Sequence, residues 1–159
     1  MSKLVIPLPL AGGCQCGEIR YEITLQPKAL YVCHCTECQQ QSSASFGLSM
    51  PVDRTGFQLR KGVLKTWTRE SASGRRVDCA FCPSCGTRIY HAPERNPRIF
   101  NVKPGTLDNT KWLVPVAHLW VASAQPWVQI PNNVILYPQQ PGTFEPIFQA
   151  WQALLGKPS

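Results

Sequence analysis

The chain has no run of about 18 apolar residues, so no segment of it reads as a membrane-crossing helix. The opening stretch Met1 to Leu10 has one lysine, and its apolar residues are broken by Pro7 and Pro9. That is a poor signal peptide, and the expected compartment is cytoplasmic. Runs of lysine and arginine, or aromatics interleaved with basic residues, are missing too, which argues against a nucleic-acid partner. Arg75-Arg76 is only a pair and reads as a solvated turn. Acidic residues are scarce, 9 against 16 Lys and Arg, for a formal net charge of +7. Thiolates around metal ions would reduce that excess to a mildly basic balance, which suits a small anionic substrate. No internal repeat and no linker is visible. The 159 residues, 43% hydrophobic and 16% charged, therefore read as a single globular domain, 1–159.

Turn formers, by contrast, are plentiful. Fifteen prolines and eleven glycines argue for many short strands and turns, a mainly β fold. Ile19, Tyr21 and Ile23 alternate with Glu18, Arg20, Glu22 and Thr24, the period of a half-buried strand. Further strands are expected over 29–33, 76–81, 87–91 and 98–102, the last stopped by Pro104-Gly105. The segments 45–50, 57–60 and 63–69 read as a meander, with Lys61-Gly62 turning between the last two, and 71–74 reads as a loop. Thr36 is the expected cap of one or two helical turns through Gln41. Residues 112–127 are apolar but interrupted by Pro115 and Pro126, which favours short strands and turns. In the tail, Phe144, Ile147, Phe148, Trp151, Leu154 and Leu155 recur at three- and four-residue steps. They form one face of a helix that ends before Gly156 and Pro158 and either packs on the sheet or makes a dimer contact.

The chemistry is expected at the cysteines. All eight fall as Cys14-x-Cys16, Cys33-x-Cys35-x-x-Cys38, Cys79 and Cys82-x-x-Cys85. Close pairs of this kind are metal knuckles more often than disulfides in a cytosolic chain. Cys82-Pro83-Ser84-Cys85-Gly86 aims two sulfurs at one point, with Gly86 free to turn just after them. Cys14 and Cys16 are its natural partners for a closed, structural zinc site. Cys33, Cys35 and Cys38 then form a second set. In an extended segment i and i+2 point the same way, and a tight turn returns i+5 beside them. Three thiolates leave a fourth position of zinc open, the mark of a catalytic site. The alternatives are a disulfide plus a free thiol, or a fragment of a closed site completed elsewhere. Cys79 is left over as a small buried hydrophobe. His34 would point away from the metal in an extended segment. His118 is a candidate proton shuttle, or else a hydrogen-bonded histidine of the sheet. His91 carries no reading.

Three motifs together carry a family resemblance. Gly12-Gly13-Cys14-Gln15-Cys16-Gly17-Glu18-Ile19-Arg20-Tyr21-Glu22 resembles the opening signature of the glutathione-dependent formaldehyde-activating enzyme family. Cys33-His34-Cys35-Thr36-Glu37-Cys38 resembles its second motif, and Phe81-Cys82-Pro83-Ser84-Cys85-Gly86-Thr87 its third. Pro104-Gly105-Thr106-Leu107-Asp108-Asn109, Pro115-Val116-Ala117-His118-Leu119-Trp120 and Pro126-Trp127 follow the later pattern, so the motif-bearing part is about 12–127. The resemblance implies an Mss4-like, zinc-ribbon-type arrangement of β-sheets with short helices. It implies two zinc ions: a structural one on Cys14, Cys16, Cys82 and Cys85, and a catalytic one on Cys33, Cys35 and Cys38. It implies a carbon–sulfur lyase acting on glutathione, or a related small anionic thiol, and formaldehyde or another small aldehyde. Trp112, Trp120 and Trp127 line a pocket for such an anion, or else belong to the core. The competing class is a non-catalytic, zinc-stabilised binding module of the same fold, which would have no need of the tri-cysteine motif.

Overall fold

The computed structural model describes residues 2–71 and 73–156. Met1 of the opening stretch, Ala72 of the expected loop and Pro158 beyond the tail helix lie outside the described residues.

The alternation around Tyr21 becomes β2 (Arg20–Ile23), which buries Tyr21 and Ile23 while Arg20 and Glu22 stay partly exposed. It is the middle of a three-stranded antiparallel sheet between β1 (Leu10–Gly13) and β5 (Phe57–Lys61). Glycine is needed at the end of β1 for close approach. A Cβ on Gly12 would sit 2.6 Å from the Tyr21 ring and 2.7 Å from the Thr106 carbonyl oxygen.

The second sheet has eight strands. Their spatial order is β11 (Ile135–Tyr137), β10 (Ala117–Leu119), β3 (Tyr31–Cys33), β4 (Gly47–Asp53), β9 (Ile99–Val102), β8 (Arg88–Pro93), β7 (Arg76–Phe81) and β6 (Lys65–Glu70). β10 runs parallel to both β3 and β11, and the other pairs are antiparallel. A mainly β fold with short helices and a C-terminal helix is therefore the observed class.

An aromatic cluster joins the two sheets. Tyr21 and Phe57 stack at 4.9 Å, Phe57 meets Tyr90 edge-on at 5.1 Å and Phe100 at 5.6 Å, and Tyr90 stacks on Phe100 at 3.9 Å. Such pairs add about 0.5–1.5 kcal/mol each beyond the area they bury.

Two local expectations are corrected. The segments 45–50, 57–60 and 63–69 are strands but not a meander: β4 pairs with β3 and β9, β5 with β2, and β6 with β7. Burial explains this. β4 is buried almost throughout and takes neighbours on both sides of the large sheet, whereas Phe57 carries β5 to the aromatic cluster of the small one. The turn at Lys61-Gly62 is real, with Gly62 at φ +85°. The second correction concerns α1 (Thr36–Ser42), where the cap is Cys35, not Thr36. Cys35 has extended backbone, and its Sγ accepts the Cys38 backbone N–H at 3.3 Å.

The tail forms α2 (Glu145–Leu154), which packs on the body of the molecule. Ile147 and Trp151 are fully buried, and Trp151 Nε1 donates to the Pro27 carbonyl oxygen at 2.8 Å. Leu4 bridges Leu155 in parallel, so the N-terminal segment seals the end of the helix.

Candidate metal centre and cavity

The structure brings the cysteines together in two groups, Cys14 with Cys16, Cys82 and Cys85, and Cys33 with Cys35 and Cys38. Within each group the sulfurs lie within 4.8 Å of one another, and both groups are able to hold a metal ion. Four sulfurs about 2.3 Å from a tetrahedral ion stand about 3.8 Å apart. The spacings of 3.5 Å for Cys14–Cys16 and 3.8 Å for Cys16–Cys82 fit that donor set.

The four-sulfur group is built by two loops that meet. The Ile19 backbone N–H donates to Cys14 Sγ at 3.1 Å, and the Gln15 N–H donates to Thr87 Oγ1 at 3.1 Å. Thr87 lies 3.2 Å from Cys85 Sγ, and its hydroxyl, with its own backbone N–H, pushes that thiol down to about 5. Gly86 takes φ +77°, the left-handed turn expected after the knuckle.

The three-sulfur group sits where β3 ends and α1 begins. Here the cap does two things at once: Cys35 Sγ takes the Cys38 N–H, and the same turn folds Cys38 back beside Cys33. Hydrogen bonds from the Cys33 and Cys38 thiols push Cys35 down to about 2, while sharing with its neighbours pushes Cys33 up. Three sulfurs this close favour loss of a proton from the set, an arrangement suited to a soft cation. Gly47 of β4 makes room for it, since a Cβ there would lie 3.2 Å from Cys38 Cβ.

Unlike the first group, this one opens on a cavity of about 950 Å³. Cys33, Cys35 and Cys38 form part of its wall, with Tyr31, Ser49, Asn101 and His91 along the sheet face. Five cations also line it: Arg69, Arg75, Arg76, Arg95 and Lys103. Carboxylates there are fewer, Glu37 and Glu70. Arg95 lies over the Phe144 ring at 5.3 Å, which fixes it at the rim. Lys103 is only 8% exposed. Burial pushes its ammonium down, opposed by the thiols of Cys38 and Cys33. His91 is buried too, and desolvation, together with Lys103, Arg88 and Arg69, pushes it well below the ordinary histidine range.

The remaining candidates fall elsewhere. His34 and His118 are buried side by side, His34 Nε2 lying 2.9 Å from His118 Nδ1 with their rings stacked. Neither lines the cavity, because Cys33 and Leu119 take the cavity face and strand alternation sends their neighbours to the other. Cys79 is fully buried on β7 opposite His91. Of the three tryptophans Trp120 lines the cavity, Trp112 packs against the core and Trp127 is 72% exposed. Trp120 holds φ +59°, an unusual conformation for so large a side chain, and its Nε1 donates to Gln140 Oε1 at 3.2 Å. Arg75-Arg76, expected as a solvated turn, are exposed but stand on the cavity rim.

The model of the glutathione-dependent formaldehyde-activating enzyme family matches residues 9–123. The chain belongs to this family. Among solved structures, it is similar to the crystal structure of a Rhodobacter sphaeroides protein at a TM-score of 0.53 and 19% identity, over 64% of this chain and 90% of that one. At that identity the likeness is one of fold. The family match ends at Ser123, so β11 and α2 lie beyond it. In this member Phe144, which follows β11, contributes to the cavity wall.

Arg75-Arg76 apart, which the sequence offered only as a solvated turn, the arginines and Lys103 were not singled out from the sequence. They lie far apart along the chain, and only the pairing of β6 with β7, β7 with β8 and β8 with β9 gathers them. A lysine closing the apolar strand Ile99-Phe100-Asn101-Val102 was the one local signal.

Proposed function

We propose that this chain is a zinc-dependent enzyme that makes and breaks the carbon–sulfur bond between a small anionic thiol, glutathione or a relative, and a small aldehyde such as formaldehyde. The observation that carries this reading is the opening of the three-sulfur group onto a cavity ringed by cations. In this reading Cys14, Cys16, Cys82 and Cys85 hold a structural zinc, and Cys33, Cys35 and Cys38 hold a catalytic one. Zinc held by three thiolates supplies Lewis acidity at one open position. The chain's own residues supply the rest. Arg69, Arg76 and Arg95 face the carboxylates at the two ends of a glutathione-like thiol and orient its sulfur toward the cysteines. Leu119, Trp120 and Phe144 give the wall its apolar part and limit water around the reacting atoms. Residues 1–159 act as one domain, and cysteines kept as metal ligands suit a reducing, cytoplasmic setting.

Two measurements test this. Elemental analysis of desalted protein should find two zinc ions per chain, one of them lost on incubation with excess glutathione. Exchange spectroscopy by NMR should then find that the zinc-loaded protein speeds interconversion of glutathione plus formaldehyde with their S-hydroxymethyl adduct. A two-zinc protein that leaves this exchange rate unchanged would refute the enzymatic reading and favour a zinc-stabilised binding module.

A further inference from the structure

Lys103 is a buried cation held on a firmly anchored stretch of main chain. It follows β9 directly, its backbone N–H donates to the Ile89 carbonyl at 2.8 Å, and its own carbonyl accepts from Thr106 Oγ1 at 2.7 Å. Thr106 is fixed in turn by Tyr21, whose hydroxyl lies 2.7 Å from the same oxygen. The main chain then enters the turn Pro104–Thr106. The position is rigid at its root, while the side chain, 8% exposed, reaches the cavity that holds Cys33, Cys35 and Cys38.

Charge makes this placement costly. The ion pairs among the described residues are Arg20–Asp108 and Arg60–Glu22, so Lys103 has no carboxylate partner there. Its buried neighbour His91 is itself in contact with a cation, Arg88 Nη1 lying 3.0 Å from His91 Nε2. Burying a cation beside others without a carboxylate is unfavourable unless an anion completes the set. An apolar residue like Val102 would serve packing better. The anions available are the sulfurs and whatever occupies the cavity.

We propose that Lys103 is a catalytic residue whose ammonium hydrogen-bonds the aldehyde oxygen and holds the charge that develops there as the thiol sulfur attacks. The assignment rests on the function proposed above. In the step, a sulfur lone pair forms the C–S bond and the C=O π pair moves onto oxygen. That oxygen takes up one proton, matching the proton the thiol gave up, and nothing is oxidised or reduced. In the reverse direction the same ammonium holds the oxygen as the C–S bond breaks. Donors placed for a developing oxyanion commonly contribute about 100- to 1,000-fold in rate.

The test uses the zinc-loaded protein and two stable probes of one shape, S-(carboxymethyl)glutathione and its uncharged analogue S-(carbamoylmethyl)glutathione. The wild type should bind the carboxylate more tightly by calorimetry. Lys103→Met should lose that preference by about 30-fold or more, keep its affinity for the amide and keep both zinc ions. The variant's exchange rate between glutathione and its formaldehyde adduct should fall about 100-fold, with part of it restored in Lys103→Arg. An unchanged carboxylate preference in Lys103→Met overturns the proposal. So does loss of zinc in step with the preference, since Lys103 would then serve only to balance the thiolates. If the wild type does not speed the exchange but its carboxylate preference depends on Lys103, the proposed enzymatic function fails while the oxygen-binding role stands.

Discussion

Cys35 shows how much one atom can be asked to do. Its sulfur caps α1 by accepting the Cys38 N–H at 3.3 Å and also belongs to the three-sulfur group. Serine caps helices well but is a poor ligand for a soft ion. Cys35→Ser should therefore lower zinc from two ions to one and, against a wild type stripped of that same ion, shift stability by no more than about 1 kcal/mol. Elemental analysis and thermal unfolding on the same sample check this, and a variant that keeps both ions would contradict it. His91 makes a second prediction at this scale. Burial, with Lys103, Arg88 and Arg69, depresses its folded pKa, so the folded imidazole stays neutral where the unfolded one takes up a proton near 6.5. Below about pH 6.5 the unfolded state binds more protons, and stability falls with pH by about 1.4 kcal/mol per unit from this group. Between pH 8 and pH 5, with zinc in excess, His91→Gln should lose Tm less steeply than the wild type. Equal slopes would refute the assignment.

At the scale of elements, α2 is held by what it buries and not by its own propensity. A helix of ten residues with a proline in its first turn is marginal alone. Trp151 changes that, fully buried and bonded to the Pro27 carbonyl, with Ile147 one turn before it. Trp151→Ala should cost about 3–5 kcal/mol, read from urea unfolding at unchanged m-value. A loss below 1 kcal/mol would mean that the helix contributes little to the fold. Phe144 stands at the start of α2 and lines the cavity, so the same variant should also weaken thiol binding.

At the scale of the whole molecule, the proposed zinc on the four-sulfur group would act as a staple. Cys14 and Cys16 precede the small sheet's middle strand, whereas Cys82 and Cys85 follow β7 of the large one. A structural zinc contributes about 10–16 kcal/mol of apparent binding energy, comparable with the about 5–15 kcal/mol by which a whole domain is stable. Cys82→Ser, at a fully buried position, should therefore unfold the domain at room temperature, whereas Cys35→Ser should leave it folded. Far-UV circular dichroism of the two variants separates them. A folded, cooperative Cys82→Ser protein would show that the sheets hold together without the staple.

Much of this was legible before any coordinates. Period-two alternation located β2, the Cys-Pro-Ser-Cys-Gly knuckle dictated the turn at Gly86, and three- and four-residue steps located α2, because each is a short-range property of the chain. The grouping of cysteines was legible too: residues two to five apart share a turn, and a four-coordinate ion calls for two such pairs. Strand partners were not: β4, β5 and β6 follow one another in sequence yet pair elsewhere, a choice made by burial and aromatic packing between sheets. Nor were the cations. Arg69, Arg76, Arg95 and Lys103 look like scattered surface charge in the sequence, and only long-range pairing through β6 to β9 turns them toward three sulfurs at the end of β3. By itself the sequence determined which atoms can bind a metal. Tertiary structure decided which of the two groups opens on a cavity and what charge surrounds it, because a field is the sum over residues that meet only when the sheet is complete.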